Sequence, residues 1–153
     1  MKILGGAEDW PQREALVRAG LQDANADLVA LQETIVDAGH DQTLSLLDQG
    51  YHRAHQNRRG PQGVGMSLAA RWPIVASEEV DLLVSSRVDP QDWLGTLLAV
   101  VVQAPEPVGP LIFASPSRPT NEGSNTSASS RQCALLAPWR RWRHATEHTC
   151  PGQ

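Results

Sequence analysis

A short apolar segment that ends in a carboxylate limits the possible folds of this chain more than any other feature. Residues 26–33 read Ala-Asp-Leu-Val-Ala-Leu-Gln-Glu, so a brief hydrophobic run stops at Gln32 and Glu33. A run of this length, bounded by polar residues, is typical of a buried β-strand, which we predict at 28–32. Such a strand would place Glu33 at the rim of a hydrophobic core, where α/β enzymes commonly hold a metal ion.

The segments around this strand predict one helix–strand unit followed by a series of antiparallel strands. A helix is predicted to begin at Asp9, Trp10 and Pro11, because Asp caps a helix and Pro is favoured in its first turn. Apolar residues at helical or alternating spacing then predict a short helix at 41–48 and strands at 51–55, 64–70, 74–80, 96–103 and 111–114. This order predicts an α+β sandwich.

A second motif lies at the end of the predicted strand 64–70, where Arg71-Trp72-Pro73-Ile74 follows. Its proline predicts a bend between this strand and the next one at 74–80. Together with Leu31-Gln32-Glu33, this segment resembles the endonuclease/exonuclease/phosphatase superfamily of metal-dependent phosphoesterases, over roughly residues 10–115. The resemblance implies the N-terminal half of a four-layer α/β/β/α sandwich. It also implies hydrolysis of phosphate esters, with nucleases among the possible activities.

The resemblance implies that Glu33 holds the metal ion, Mg²⁺ or Mn²⁺, with Gln32 beside it. A carboxylate-held Mg²⁺ stabilises charge on phosphoryl oxygens and activates water, but the ion prefers several oxygen ligands, so one carboxylate would hold it weakly. From the residues alone, Glu33 is alternatively a solvated carboxylate at a strand end. Arg71 is a candidate phosphate contact, with packing at the bend as the alternative.

Several motifs of the resembled family are missing. The asparagine that follows the family's first strand is absent from Gly5-Gly6-Ala7-Glu8, where Glu8 or Asp9 could substitute. The position of the family histidine falls at Ser117, whose hydroxyl cannot supply the charge of an imidazolium. The catalytic residues are therefore unknown, and we expect an impaired Mg²⁺-dependent phosphoesterase or nuclease. The alternative is a catalytically inactive fragment that acts as a binding module or has no function.

The composition changes abruptly at residue 115. Thirteen of the sixteen residues 115–130 are Ser, Thr, Asn, Gly or Pro, which bury too little apolar surface to form a core. We therefore divide the chain into 1–115, the N-terminal part of the resembled domain, and 116–153, a low-complexity segment and basic tail with poor order. A truncated or frameshifted gene product would explain the change, and apolar faces around residues 100–102 would then be uncovered and favour self-association.

Charge and missing motifs restrict the possible partners. The net charge of −4 argues against a protein that coats nucleic acid. Residues 139–143 read Trp-Arg-Arg-Trp-Arg, so this tail is either frayed or suited to nucleic-acid binding. Arg58 and Arg59, in a glycine-flanked loop, are either solvated or in contact with phosphate.

The expected partner is a phosphate-ester substrate, with nucleic acid as a second possibility. No Gly-x-Ser-x-Gly, phosphate-loop or Cys-x-x-Cys motif occurs, which removes support for the enzyme classes that use them. No apolar run is long enough for a membrane span, and no signal-peptide pattern follows Met1. These features predict a cytoplasmic protein.

Overall fold

The computed structural model describes residues 10–82 and 95–117. The elements in chain order are α1 (Trp10–Ala24), β1 (Leu28–Ile35), α2 (Gln42–Leu46), β2 (His52–His55), β3 (Val64–Ala70), β4 (Ile74–Asp81), β5 (Thr96–Gln103) and β6 (Pro110–Pro116). A 3-10 turn at Pro61–Gly63 precedes β3. The predicted elements are all present, but β1 continues beyond residue 32 and α2 is shorter than predicted.

The strands form two antiparallel sheets of three strands each. Their orders are β1-β3-β2 and β4-β5-β6. The segment Arg71-Trp72-Pro73 carries the chain from the first sheet to the second, and Pro73 interrupts the strand because it has no N–H to donate. Trp72 packs against the core between the sheets. The bend predicted from the sequence is therefore the crossing between two layers.

Strand β3 is buried along its whole length because its two faces contact different layers. One face lies against the second sheet, in a core formed by Met66, Leu68, Ala70, Leu98, Val100 and Val102. The other face contributes Ala69 to a core beneath the helices with Val29, Leu31, Leu46, Leu47 and Tyr51. These elements form three layers of the predicted α/β/β/α arrangement, and the prediction of a partial α+β sandwich is confirmed.

The predicted exposure of residues 100–102 is wrong. Val100 and Val102 are 1% and 0% exposed, because their side chains pack in the core between the two sheets. Val101 is also buried, and its neighbours on the adjacent strands are Ala76 and Ile112. Self-association through this sheet therefore remains a prediction that the buried valines do not support.

Helix α1 covers the helix-side core only in part. Trp10, Val17 and Leu21 pack against that core, yet no residue of α1 is fully buried. The predicted cap at Asp9 lies outside the described residues. Poor order was predicted for 116–153, but Pro116 ends β6 and Ser117 is buried, so the prediction is wrong for these two residues. The rest of that segment lies outside the described residues. Within residues 10–82 and 95–117, no helix has the length and apolar character that a membrane crossing requires.

Candidate functional site

Glu33 lies at a β-bulge near the end of β1. Leu31 pairs with Ser67 and Thr34 pairs with Gly65, so β1 contains one residue more than β3 between these two pairs. Glu33 has a left-handed backbone conformation, with φ 60°. This conformation costs a residue with a Cβ about 1–2 kcal/mol. Bulges redirect side chains and occur often beside active sites, so the half-buried Glu33 is held in a special geometry.

The bulge lies where ends of the two sheets meet. The side-chain amide of Gln32 donates through Nε2 to the carbonyl of Pro116 at 3.1 Å. This hydrogen bond links the end of β1 to the end of β6, and Ser117 follows directly. The structure therefore brings Glu33 and Ser117, the position of the family histidine, to the same end of the sandwich.

The hydroxyl of Ser117 is already engaged. It accepts a hydrogen bond from the N–H of Thr96 at 3.1 Å and donates to the carbonyl of Thr96 at 3.3 Å. The backbone N–H of Ser117 donates to the same carbonyl at 2.7 Å. A buried hydroxyl that donates and accepts within the protein fastens β5 to β6. In this geometry Ser117 has no proton to offer a substrate.

Buried polar side chains hold the bulge from the helix side of the first sheet. Thr34 is fully buried, and its Oγ1 donates to the carbonyl of Gly65 at 3.1 Å and lies 2.8 Å from Ser67 Oγ. Ser67 Oγ lies 2.9 Å from His55 Nδ1, and His55 Nε2 lies 3.4 Å from Asp41. We call Thr34, Ser67, His55 and Asp41 the bulge network. It connects β1, β2, β3 and the cap of α2.

Arg59 joins the bulge network to the surrounding backbone. Its guanidinium donates to the carbonyls of Gly63 at 3.1 Å and of Met66 and Thr34 at 3.4 Å, and to Thr34 Oγ1 and Ser67 Oγ at 3.3 Å. Arg58 is exposed and lies 3.8 Å from Asp81. The exposure of Arg58 is consistent with a solvated loop, and a phosphate contact by Arg58 remains a prediction. Arg59 is an internal hydrogen-bond donor.

His55 gives the bulge network a predicted pH dependence. Burial lowers the pKa of its imidazole, Asp41 opposes this effect, and Arg59 and Arg53 add to it. The unfolded chain therefore takes up a proton at His55 more readily than the folded chain. Neutral His55 therefore favours the folded state. Its contribution to the free energy of unfolding should be fully present above the unfolded pKa of about 6.5 and should be lost as the pH falls below it.

Urea unfolding of the wild type, His55→Gln and His52→Gln, each at about pH 7.5 and about pH 5.5, measures this pH dependence. We expect the wild type to lose more stability on acidification than His55→Gln. His52→Gln is the control, because His52 is exposed on the same strand, and it should behave as the wild type. The same acid-induced loss in His55→Gln and in the wild type would contradict the role of His55.

The predicted phosphate contact Arg71 lies at the other end of the first sheet from Glu33. It stands beside the start of β1, roughly 16 Å along the strand from Glu33. Its guanidinium contacts Asn25, Asp27 at 3.5 Å and the ring of Tyr51 at 5.0 Å. These contacts match the packing alternative. The structure does not bring Arg71 and Glu33 together, and a phosphate contact by Arg71 remains a prediction.

The site offers few donor atoms for a metal ion. Across the two described ranges, 10–82 and 95–117, no group of three or more His, Cys, Asp or Glu side chains could hold a metal ion. Mg²⁺ can bind through one or two carboxylates and complete its shell with water and substrate phosphate. Glu33 fits this weak mode of binding. The substitute ligands Glu8 and Asp9 lie outside the described residues.

The bulge network could not be predicted from the sequence. One signal was present, because strand alternation places Ser67 on the same face as the buried Ala69, and a buried hydroxyl needs a partner. The partners His55 and Thr34 are 12 and 33 residues away in the chain. No local pattern connects residues at these separations.

Comparison with known families gives one match that covers nearly the whole chain. A family model described as the Endonuclease/Exonuclease/phosphatase family matches residues 3–150. This match continues beyond residue 115, where the composition changes and the motif resemblance ends. A search of curated proteins finds no significant match.

Two solved structures have folds similar to that of this chain. An endonuclease/exonuclease/phosphatase family protein from Leptotrichia buccalis C-1013-b has a TM-score of 0.64 and 12% identity, over 89% of this chain and 60% of its own. ANGEL2, described as a 2′,3′-cyclic phosphatase and solved with adenosine-2′,3′-vanadate, has a TM-score of 0.55 and 21% identity, over 69% of this chain and 31% of its own. At these identities the likeness shows the fold, and this chain spans less than two thirds of either protein.

Proposed function

This chain belongs to the endonuclease/exonuclease/phosphatase family, and on that premise we propose that it hydrolyses phosphate esters with Mg²⁺ or Mn²⁺ bound weakly at Glu33. The observation that supports this proposal best is the β-bulge, which holds Glu33 in a left-handed conformation at an end of the sandwich. Backbone strain persists only where the surroundings enforce it, and it clusters at functional sites. A strained glutamate at this position is therefore better explained by a ligand role than by a solvated strand end.

Glu33, Gln32 and Ser117 have different roles in the proposed reaction. Bound Mg²⁺ would supply positive charge for the phosphoryl oxygens and activate water for attack. Glu33 would hold the ion, and Gln32 keeps the ends of β1 and β6 together through its bond to Pro116. Ser117 contributes no proton transfer, because Thr96 engages its hydroxyl in both directions. We therefore expect a slow reaction.

The proposed substrate class is a phosphate ester, with nucleic acid included. Family membership supports this class. The similar structure ANGEL2 is described as a 2′,3′-cyclic phosphatase. A nucleoside 2′,3′-cyclic phosphate should therefore be tested as a substrate, together with a phosphodiester and a phosphomonoester.

The test is hydrolysis of bis-p-nitrophenyl phosphate by the full chain, with and without Mg²⁺ or Mn²⁺. We expect hydrolysis only with the metal, and we expect Glu33→Gln to reduce the rate to that of the metal-free protein. Glu78→Gln is the matched control, since it removes the same charge from β4 and should keep the wild-type rate. Equal rates in Glu33→Gln and the wild type would end the proposal.

The second candidate function is a catalytically inactive binding module. It is favoured by the engaged hydroxyl of Ser117 and by a groove of about 400 Å³ whose lining includes His52, Ile74 and Ser77. This candidate predicts no metal-dependent hydrolysis, no effect of Mg²⁺ on the melting temperature, and association with a partner or a second copy. A monomer in sedimentation that Mg²⁺ stabilises against heat would argue against it.

A further inference from the structure

We propose that Thr34, Ser67 and Arg59 are positioning residues that hold the β-bulge and thereby set the affinity of Glu33 for a divalent cation. This inference rests on the proposed function of Glu33. Without contacts that fix the bulge, β1 could shift by one residue into regular pairing with β3. This shift would turn every following side chain of β1 to the other face of the sheet. The bulge therefore needs contacts that fix the residues after Glu33.

Each of the three residues after Glu33 has such a contact. Thr34 bonds to Ser67 and to the carbonyl of Gly65. The N–H of Ile35 donates to the side chain of Gln42 at 2.9 Å, and the N–H of Val36 donates to the carbonyl of Gly63 at 3.0 Å. These contacts use atoms that a regular strand would present elsewhere, so together they specify the bulged register.

Arg59 ties these separate contacts into one unit. It donates to Thr34 on the bulged strand, to Ser67 on the partner strand, and to the carbonyl of Gly63 in the preceding turn. One planar group that donates to three segments limits their relative movement. The residues that hold Glu33 thus come from β1, β3 and the loop before β3.

The contacts from Asp41 to His55 and from His55 to Ser67 resemble those of a catalytic triad. The structure excludes that role. Ser67 is 1% exposed and lies in the central strand of the first sheet, where no substrate can reach its hydroxyl. The same hydroxyl already contacts Thr34 and Arg59. Its function is therefore to hold the bulge.

The experiment compares Thr34→Val with Thr34→Ser. Valine keeps the shape of threonine and removes the hydroxyl, whereas serine keeps the hydroxyl. Loss of a residue that orients a metal ligand commonly weakens binding by 10–100-fold, so we expect Mn²⁺, titrated by electron paramagnetic resonance, to bind about tenfold more weakly to Thr34→Val. Thr34→Ser should bind Mn²⁺ as the wild type does.

A stability control separates positioning from general loss of structure. Val100→Ala opens the core between the sheets, away from the bulge, and should lower the urea midpoint without changing Mn²⁺ affinity. Wild-type Mn²⁺ affinity in Thr34→Val, or weakened affinity in Val100→Ala, would overturn the positioning role and leave the proposed function intact. A wild type that binds no Mn²⁺ would instead refute the proposed function.

A second measurement, made without any metal, tests whether Thr34 holds the β-bulge at Glu33. Glycine tolerates the left-handed conformation better than alanine, so Glu33→Gly should unfold less readily than Glu33→Ala, by about threefold in the equilibrium constant. We expect this difference to shrink when Thr34→Val is also present, because the bulge can then relax. An unchanged difference in that background would show that Thr34 does not hold the conformation of Glu33.

Discussion

Replacing Gly63 by alanine should lower the free energy of unfolding by about 3 kcal/mol, the combined cost of a left-handed conformation and of overpacking. Gly63 has a φ of 75°, and an added Cβ would lie 2.4 Å from the carbonyl oxygen of Val36. The backbone cannot move away easily, because the N–H of Val36 donates to the carbonyl of Gly63 at 3.0 Å.

Urea denaturation of Gly63→Ala and Gly20→Ala measures this effect. Gly20 lies in α1 and an added Cβ there meets no atom within 4 Å, so its replacement should stabilise the protein by about 0.5–1 kcal/mol. The two substitutions add the same methyl group and should act in opposite directions. A destabilisation of Gly63→Ala smaller than about 1 kcal/mol would show that the turn adapts to a side chain.

Replacing Arg59 by methionine should also lower the free energy of unfolding by about 3 kcal/mol, because it removes several hydrogen bonds from one charged group. Burial lowers the pKa of Arg59, and the carboxylates of Asp41 and Glu79 oppose this effect. The guanidinium nevertheless stays protonated near neutral pH. Methionine fills similar space but leaves the carbonyl of Gly63 without this donor.

The neighbouring arginine provides the control for this substitution. Arg58 is half exposed and its ion pair with Asp81 spans 3.8 Å, so Arg58→Met should cost less than about 1 kcal/mol. Thermal or urea unfolding of both variants gives the comparison. Similar losses for Arg58→Met and Arg59→Met would contradict the internal role of Arg59.

Central strands could be predicted from the sequence because burial on both faces leaves a continuous apolar run. The bounds of Val64–Ala70 and Thr96–Gln103 agree with the predicted strands for this reason. The extension of β1 to Ile35 could not be predicted, because its apolar run stops at Leu31. Its last residues pair with β3 through the bulge, a contact that depends on tertiary structure.

In the candidate site, too, local features could be predicted from the sequence and features that depend on tertiary contacts could not. Local motifs identified Glu33 and the superfamily, and the family model confirms the superfamily. The conformation of Glu33 and the engagement of Ser117 by Thr96 depend on contacts between distant strands. The sequence could therefore indicate which residue to inspect, but the structure was needed to show how it is held.

Binding of Mg²⁺ by Glu33 is tested most directly by a Mg²⁺ titration followed by nuclear magnetic resonance of the backbone amides. We predict saturable shifts at Gln32, Glu33 and Thr34 in the wild type, and no such shifts in Glu33→Gln. Shifts that cluster around Arg71, or shifts at the bulge that persist in Glu33→Gln, would contradict the assignment of Glu33 as the metal ligand.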